Sequence, residues 1–204
     1  MEIDYLQTGL ALCVGVSLAA ACGFRVFVPL LVMALGVRLW GLQIDENLAW
    51  VGSDAALACL GAATLVELLG YYIPVVDNFL DGIAGPAALV AGAVVTGGML
   101  GDLPNWLQWG TGIIAGAGVA GTVQLGTTAV RATSTTTSAG LANPIVSTAE
   151  NVFSAIGAVL AVVAPLIAVV GAVILIFLTV ISLRKILSII KKRKAAAAAA
   201  AAAA

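Results

Sequence analysis

Five long apolar stretches separated by short polar segments set the pattern of this chain: residues 9–39, 55–73, 83–100, 107–130 and 151–183. A helix crosses the hydrocarbon of a bilayer in roughly 20 residues, so each stretch predicts a transmembrane helix. The first and fifth are longer than a crossing needs and are expected to tilt, bend or project. The third is marginal, a tilted span or a re-entrant turn. The predicted fold class is all-α: a polytopic transmembrane bundle of about five spans, with a kinked first helix and a long C-terminal helix. Gly23 and Pro29 mark the expected kink or break, because a proline ring clashes with the carbonyl four residues back, here that of Arg25. Pro165 predicts a second kink, in one helix over 151–194 that would be about 66 Å long.

Composition strengthens the membrane reading. Hydrophobic residues make up 62% of the chain and charged residues 9%. A soluble domain carries roughly a quarter charged residues. The segment 1–194 reads as a single transmembrane domain. The alanines at 195–204 are set apart from it, as a tag or a stand-in for unassigned residues. The opening "MEIDYLQT" is acidic and lacks the basic start of a signal peptide. There is no histidine, which removes the commonest general base and transition-metal ligand. Cys13, Cys22 and Cys59 sit in apolar runs without metal spacing and read as small hydrophobes. No metal, cofactor or nucleic-acid partner is expected, and no nucleophile–base motif or phosphate loop suggests an enzyme.

Charge sets the expected orientation. Six of the nine basic residues lie between Arg184 and Lys194. Basic segments stay cytoplasmic, so the C-terminus is predicted inside and, through five spans, the N-terminus outside. Loops 40–54 and 101–106 are then expected on the cytoplasmic side with Trp40, Trp50, Trp106 and Trp109. Tyr5, Tyr71 and Tyr72 are expected on the other side. Gly97/Gly101 and Gly112/Gly116 form GxxxG pairs for close helix contact, within one subunit or between subunits.

Ionisable groups at membrane depth are expensive and mark candidate sites. Arg25 lies near the middle of the first stretch. Glu67, on one face with Thr64 and Tyr71, is its expected partner. Asp77 and Asp81 are four apart and share a face if helical. They suit a cation or a shared proton, or else a helix N-terminus. In "RATSTTTSAGLANPIVSTAEN", eight of the first twenty residues are Ser or Thr. This segment reads as an exposed loop or as the lining of a wet cavity made positive by Arg131. Ser147 and Glu150 fit a capping box. The candidate ion or solute pathway is therefore Arg25, Glu67, Asp77, Asn78, Asp81, Arg131 and Glu150.

"ACGFRVFVPLL", "IPVVDNFLD" with the "GP" after it, and the 131–151 segment resemble a bacterial membrane-protein family of unknown function, domain-of-unknown-function family forty-one twenty-six. The resemblance covers most of 10–183. It implies a small multi-span protein of the inner or thylakoid membrane. It also places Arg25, Asp77, Asn78, Arg131, Asn143, Pro144 and Glu150 in the family's characteristic segments, and implies no activity. Two functions remain open: a transporter or channel for a small polar solute or ion, and a structural or assembly subunit of a membrane complex. Lipid is the certain partner; a homo-oligomer or a larger complex is expected.

Overall fold

The computed structural model describes residues 4–202. The described residues form helices: α1 Tyr5–Cys22, α2 Phe27–Trp40, a 3-10 segment Glu46–Gly52, α3 Asp54–Gly70, α4 Pro74–Gly98, α5 Asn105–Ser138, α6 Asn143–Val163 and α7 Pro165–Ala202. Five stretches are long and apolar enough to cross a membrane: Tyr5–Cys22, Phe79–Gly98, Asn105–Ser138, Asn143–Val163 and Pro165–Ile189. The 3-10 segment and α3 also pass together, bent by 68°. The protein is a multi-pass helical membrane protein with about the expected number of spans, but two boundaries differ from those expected.

The first stretch turns back on itself. α1 passes Thr96 of α4, whose Oγ1 donates to the Gly15 carbonyl at 3.1 Å, and brings Gly23 against Ala120 and Val123 of α5. A Cβ on Gly23 would lie 2.5 Å from the Val123 Cβ and 2.6 Å from the Ala120 carbonyl, so only glycine permits this approach. α2 then returns. Gly36 lies beside Leu42 and Val162, and the Asp45 N–H donates to the Gly98 carbonyl at 2.8 Å. The start of α1 and the end of α2 therefore share the Gly98 end of the bundle. Pro29 does not kink a continuous helix; it sits in the first turn of α2, where its missing N–H costs nothing.

The fifth stretch also reverses, at the single non-helical residue Ala164 (φ −142°, ψ 67°). Pro165 opens α7 rather than kinking one long helix. α7 runs back along α5, with Thr179 against Gly126. The expected single helix over 151–194 is thus two antiparallel helices, although the C-terminal one is long at 38 residues. The marginal third stretch extends back to Pro74 and forms a helix of 25 residues, with no re-entrant turn.

The glycine pairs work within the chain. A Cβ on Gly112 would stand 2.7 Å from the Ala93 carbonyl, and one on Gly116 would stand inside the Gly92 carbonyl. Gly97 faces Trp109, while Gly101 lies in the loop after α4, against Asp45. Residues Gly112–Ala117 of α5 wind as a π-turn at this contact. The backbones thus approach closely, as small residues allow in lipid.

The ends of the bundle sort differently from expectation. Trp40, Trp50, Trp106 and Trp109 do share one end, the Gly98 end, but Tyr5 lies there too because α1 starts there. The basic end of α7 lies at the opposite end, with the α3–α4 and α5–α6 connections. Loops 40–54 and 101–106 therefore lie away from the basic tail rather than beside it.

Candidate functional site

The hairpin tip, residues 23–26, stops short of the end of the bundle: Gly23 lies against Val123, and α5 runs on from there to Ser138, about 22 Å along its axis. There it delivers Arg25, 2% exposed, into a cluster drawn from four further helices. Each helix contributes polar positions at helical spacing: Thr64, Glu67 and Tyr71 along α3 and its cap; Asp77 and Asp81 on α4; Thr127, Arg131 and Ser134 on α5; Ser147, Glu150, Asn151 and Ser154 on α6.

Glu150 is the hub. Its carboxylate accepts from Arg25 Nη1 at 3.0 Å, from Arg131 Nε at 3.1 Å to each oxygen, and from Arg131 Nη2. Arg131 Nη1 also reaches Asp77 Oδ1 at 2.7 Å and Asp81 Oδ1 at 3.4 Å, and Nη2 donates to Ser147 Oγ at 3.0 Å. Arg25 donates from Nε to Asn151 Oδ1 at 2.5 Å, from Nη1 to the Phe24 carbonyl at 3.1 Å and from Nη2 to the Ser147 carbonyl at 3.2 Å. Both guanidinium carbons lie over the Tyr71 ring, at 3.8 Å for Arg25 and 4.4 Å for Arg131. A ring quadrupole attracts a desolvated cation at such distances.

Glu67 is not the partner of Arg25. Its two oxygens accept the backbone N–H groups of Val26 and Phe27 at 2.7 and 2.9 Å. The helix break leaves the N–H groups of α2 without internal acceptors, and a buried carboxylate satisfies two of them while complementing the helix dipole. The capping box at 147–150 is also replaced. α6 begins four residues earlier, at Asn143 with Pro144 in its first turn, so Ser147 and Glu150 lie inside the helix and face the cluster. The 131–151 segment is not an exposed loop. Residues 131–138 complete α5, and the side-chain Oδ1 of Asn143 accepts from Ser134 Oγ at 2.8 Å.

Of the candidate pathway residues, Arg25, Asp77, Asp81, Arg131 and Glu150 meet in one cluster and Glu67 borders it. The Asn78 side chain lies outside the described residues. Asn151 was missed, Ser147 was read only as a helix cap, and Tyr71 was read as an interfacial ring sharing a face with Glu67. The signal for the first two was present: Ser147, Glu150, Asn151 and Ser154 make a polar stripe on an otherwise apolar helix. Among the described residues, no set of three or more acidic or cysteine side chains forms a metal-binding group.

At the other end of the bundle, Gln108 Nε2 donates to Asp45 Oδ2 at 2.9 Å and to the Gly97 carbonyl at 3.1 Å. The Gln108 hydrogen bond holds the Asp45 carboxyl below the usual carboxylate range, and bonds from Asn47 add to this. That contact ties the α2 exit loop to α5.

The family model described as Domain of unknown function (DUF4126) matches residues 12–185. The chain belongs to this family. The match encloses the hairpin and every residue of the cluster, so the buried charged cluster lies wholly within the family's domain. No curated protein and no solved structure matches the chain.

Proposed function

We propose that this DUF4126 protein is a non-enzymatic carrier or channel for a small ion, with the α1–α2 hairpin tip as its moving element and Glu67 as the latch. The observation behind the reading is the charge balance around the tip. Arg25 and Arg131 offset Asp77 and Glu150, giving a neutral buried quartet. Two further carboxylates flank it: Glu67, 6% exposed, and Asp81, whose side chain is 37% exposed. Surplus negative charge at membrane depth favours a counter-cation. A proton or monovalent cation taken up at Glu67 weakens its hold on the two N–H groups that fix the tip. Broken helices in transporters offer freed backbone groups to solutes in this way.

Lys and Arg at the end of α7 orient the protein with the cluster end in the cytoplasm and the N-terminus outside, in an inner or thylakoid membrane. Loops 40–54 and 101–106 then face outward.

A structural or assembly role, as a homo-oligomer or complex subunit, is the second reading. It is favoured by the saturation of the quartet, in which every nitrogen of Arg25 and Arg131 has a partner. Ion flux into sealed vesicles separates the two. With a potassium diffusion potential imposed, vesicles holding the protein are expected to take up H+ or Na+ faster than empty vesicles, and Glu67→Gln is expected to return the rate to background. Vesicles as tight as empty ones to H+, Na+ and K+ would overturn the carrier reading in favour of the structural one.

A further inference from the structure

A cavity of about 680 Å³ lies between α5, α6 and α7, with Phe24 of the hairpin tip in its wall. Its walls are almost wholly apolar, with Phe24, Val130, Ile145, Phe153, Leu178 and Ile186 among them. The hydroxyls on its α5 wall do not alter this, because Thr133 and Thr137 donate back to their own helix, to the Ala129 and Thr133 carbonyls. Along α5 the lining runs from Val123 to Thr137, about 21 Å. One leaflet of a bilayer is about 15 Å of hydrocarbon, so the groove is long enough for an acyl chain.

The cavity ends where α7 turns basic. Ile186 lines it, and the exposed Lys185 continues the groove edge of Leu178 and Ser182 at helical spacing, whereas Arg184 and Lys191 fall on other faces of α7. Few exposed cations sit elsewhere on the described surface: Arg25 and Arg131 are buried, and Arg38 pairs with Asp54 at 3.1 Å. An apolar slot at membrane depth, with a cation at its headgroup end, matches one occupant in both halves. We infer that this groove is a binding site for an anionic phospholipid, its acyl chain between α5, α6 and α7 and its phosphate at Lys185. Glu150 forms part of the groove wall as well as the hub of the cluster, so an acyl chain there rests against the cluster. The inference does not depend on the transport reading.

The test is native mass spectrometry of the full chain in detergent, with dioleoyl phosphatidylglycerol or dioleoyl phosphatidylcholine added at equal concentration. Each cation near a headgroup is worth about 1 kcal/mol, or about fivefold. Wild type is expected to retain phosphatidylglycerol at least about fivefold better than phosphatidylcholine. Lys185→Gln, at an exposed position, is expected to remove the preference while leaving chain binding. Ala149→Phe, which fills the groove, is expected to lower binding of both lipids. Equal retention of the two lipids by wild type would overturn the inference. So would a preference that survives Lys185→Gln, or binding of both lipids undiminished by Ala149→Phe in a monodisperse protein.

Discussion

Replacing Glu150 by Gln removes the one charge that both guanidiniums share. Glu150 is 4% exposed, and Arg25 and Arg131 are 2% and 5% exposed, so water cannot take its place. The glutamine is nearly isosteric and keeps one acceptor, so packing changes little and the effect is electrostatic. Arg131 retains Asp77 at 2.7 Å, whereas Arg25 retains only neutral acceptors and the Tyr71 ring. Stranding one member of a buried pair costs about 3–5 kcal/mol. That is a large share of the roughly 5–15 kcal/mol that holds a protein folded. Arg25→Met alone strands less, because Glu150 keeps Arg131, and about 1–3 kcal/mol is expected. The double variant Arg25→Met with Glu150→Gln is then expected to lie closer to wild type than the two single losses summed, with a coupling of about 0.5–3 kcal/mol. Reversible unfolding in mixed micelles with increasing dodecyl sulfate measures all four proteins. Additive losses, or a Glu150→Gln protein within about 0.5 kcal/mol of wild type, would refute the view that Glu150 is the hub.

Two further outcomes follow from other parts of the bundle. The Asp45 carboxyl is held below its ordinary range by Gln108, so its contribution to stability is present above about pH 4 and lost as pH falls through the folded value. The stability gap between wild type and Asp45→Asn is expected to close on acidification, and a gap that widens below pH 4 would contradict the contact. Gly116→Val is expected to cost about 1–3 kcal/mol, because its Cβ meets the Gly92 backbone, which cannot move aside. Gly118→Ala, with nothing within 4 Å, is expected to be neutral or stabilising, and melting of the two variants checks the difference.

The helical character and the number of spans were legible because they depend on hydropathy summed over about 20 residues. The two reversals were not. α1 and α2 together form one unbroken apolar run, as do α6 and α7, so no polar segment announces the turn. The local signs were Gly23, whose close approach to α5 is visible only in three dimensions, and Pro29 and Pro165. Proline suits the first turn of a new helix as well as a kink, and sequence alone does not separate the two. The charged members of the cluster were legible for a simple reason: each is costly at membrane depth. Their pairing was not, because it depends on the reversal at residues 23–26. A straight first helix leaves Glu67 as the nearest carboxylate in depth. The hairpin instead turns the start of α2 toward Glu67 and the Arg25 side chain toward α6.

The central claim is that Arg25 enters the membrane on a hairpin and not on a span. Cysteine accessibility in sealed vesicles tests it directly, in a background with Cys13, Cys22 and Cys59 replaced by alanine. Gln7→Cys precedes the hairpin and Gln43→Cys follows it; Ser138→Cys lies at the opposite end. A membrane-impermeant maleimide is expected to label positions 7 and 43 from the same side and position 138 from the other. Labelling of 7 and 43 from opposite sides would mean that residues 9–39 cross as one helix, and would contradict the account.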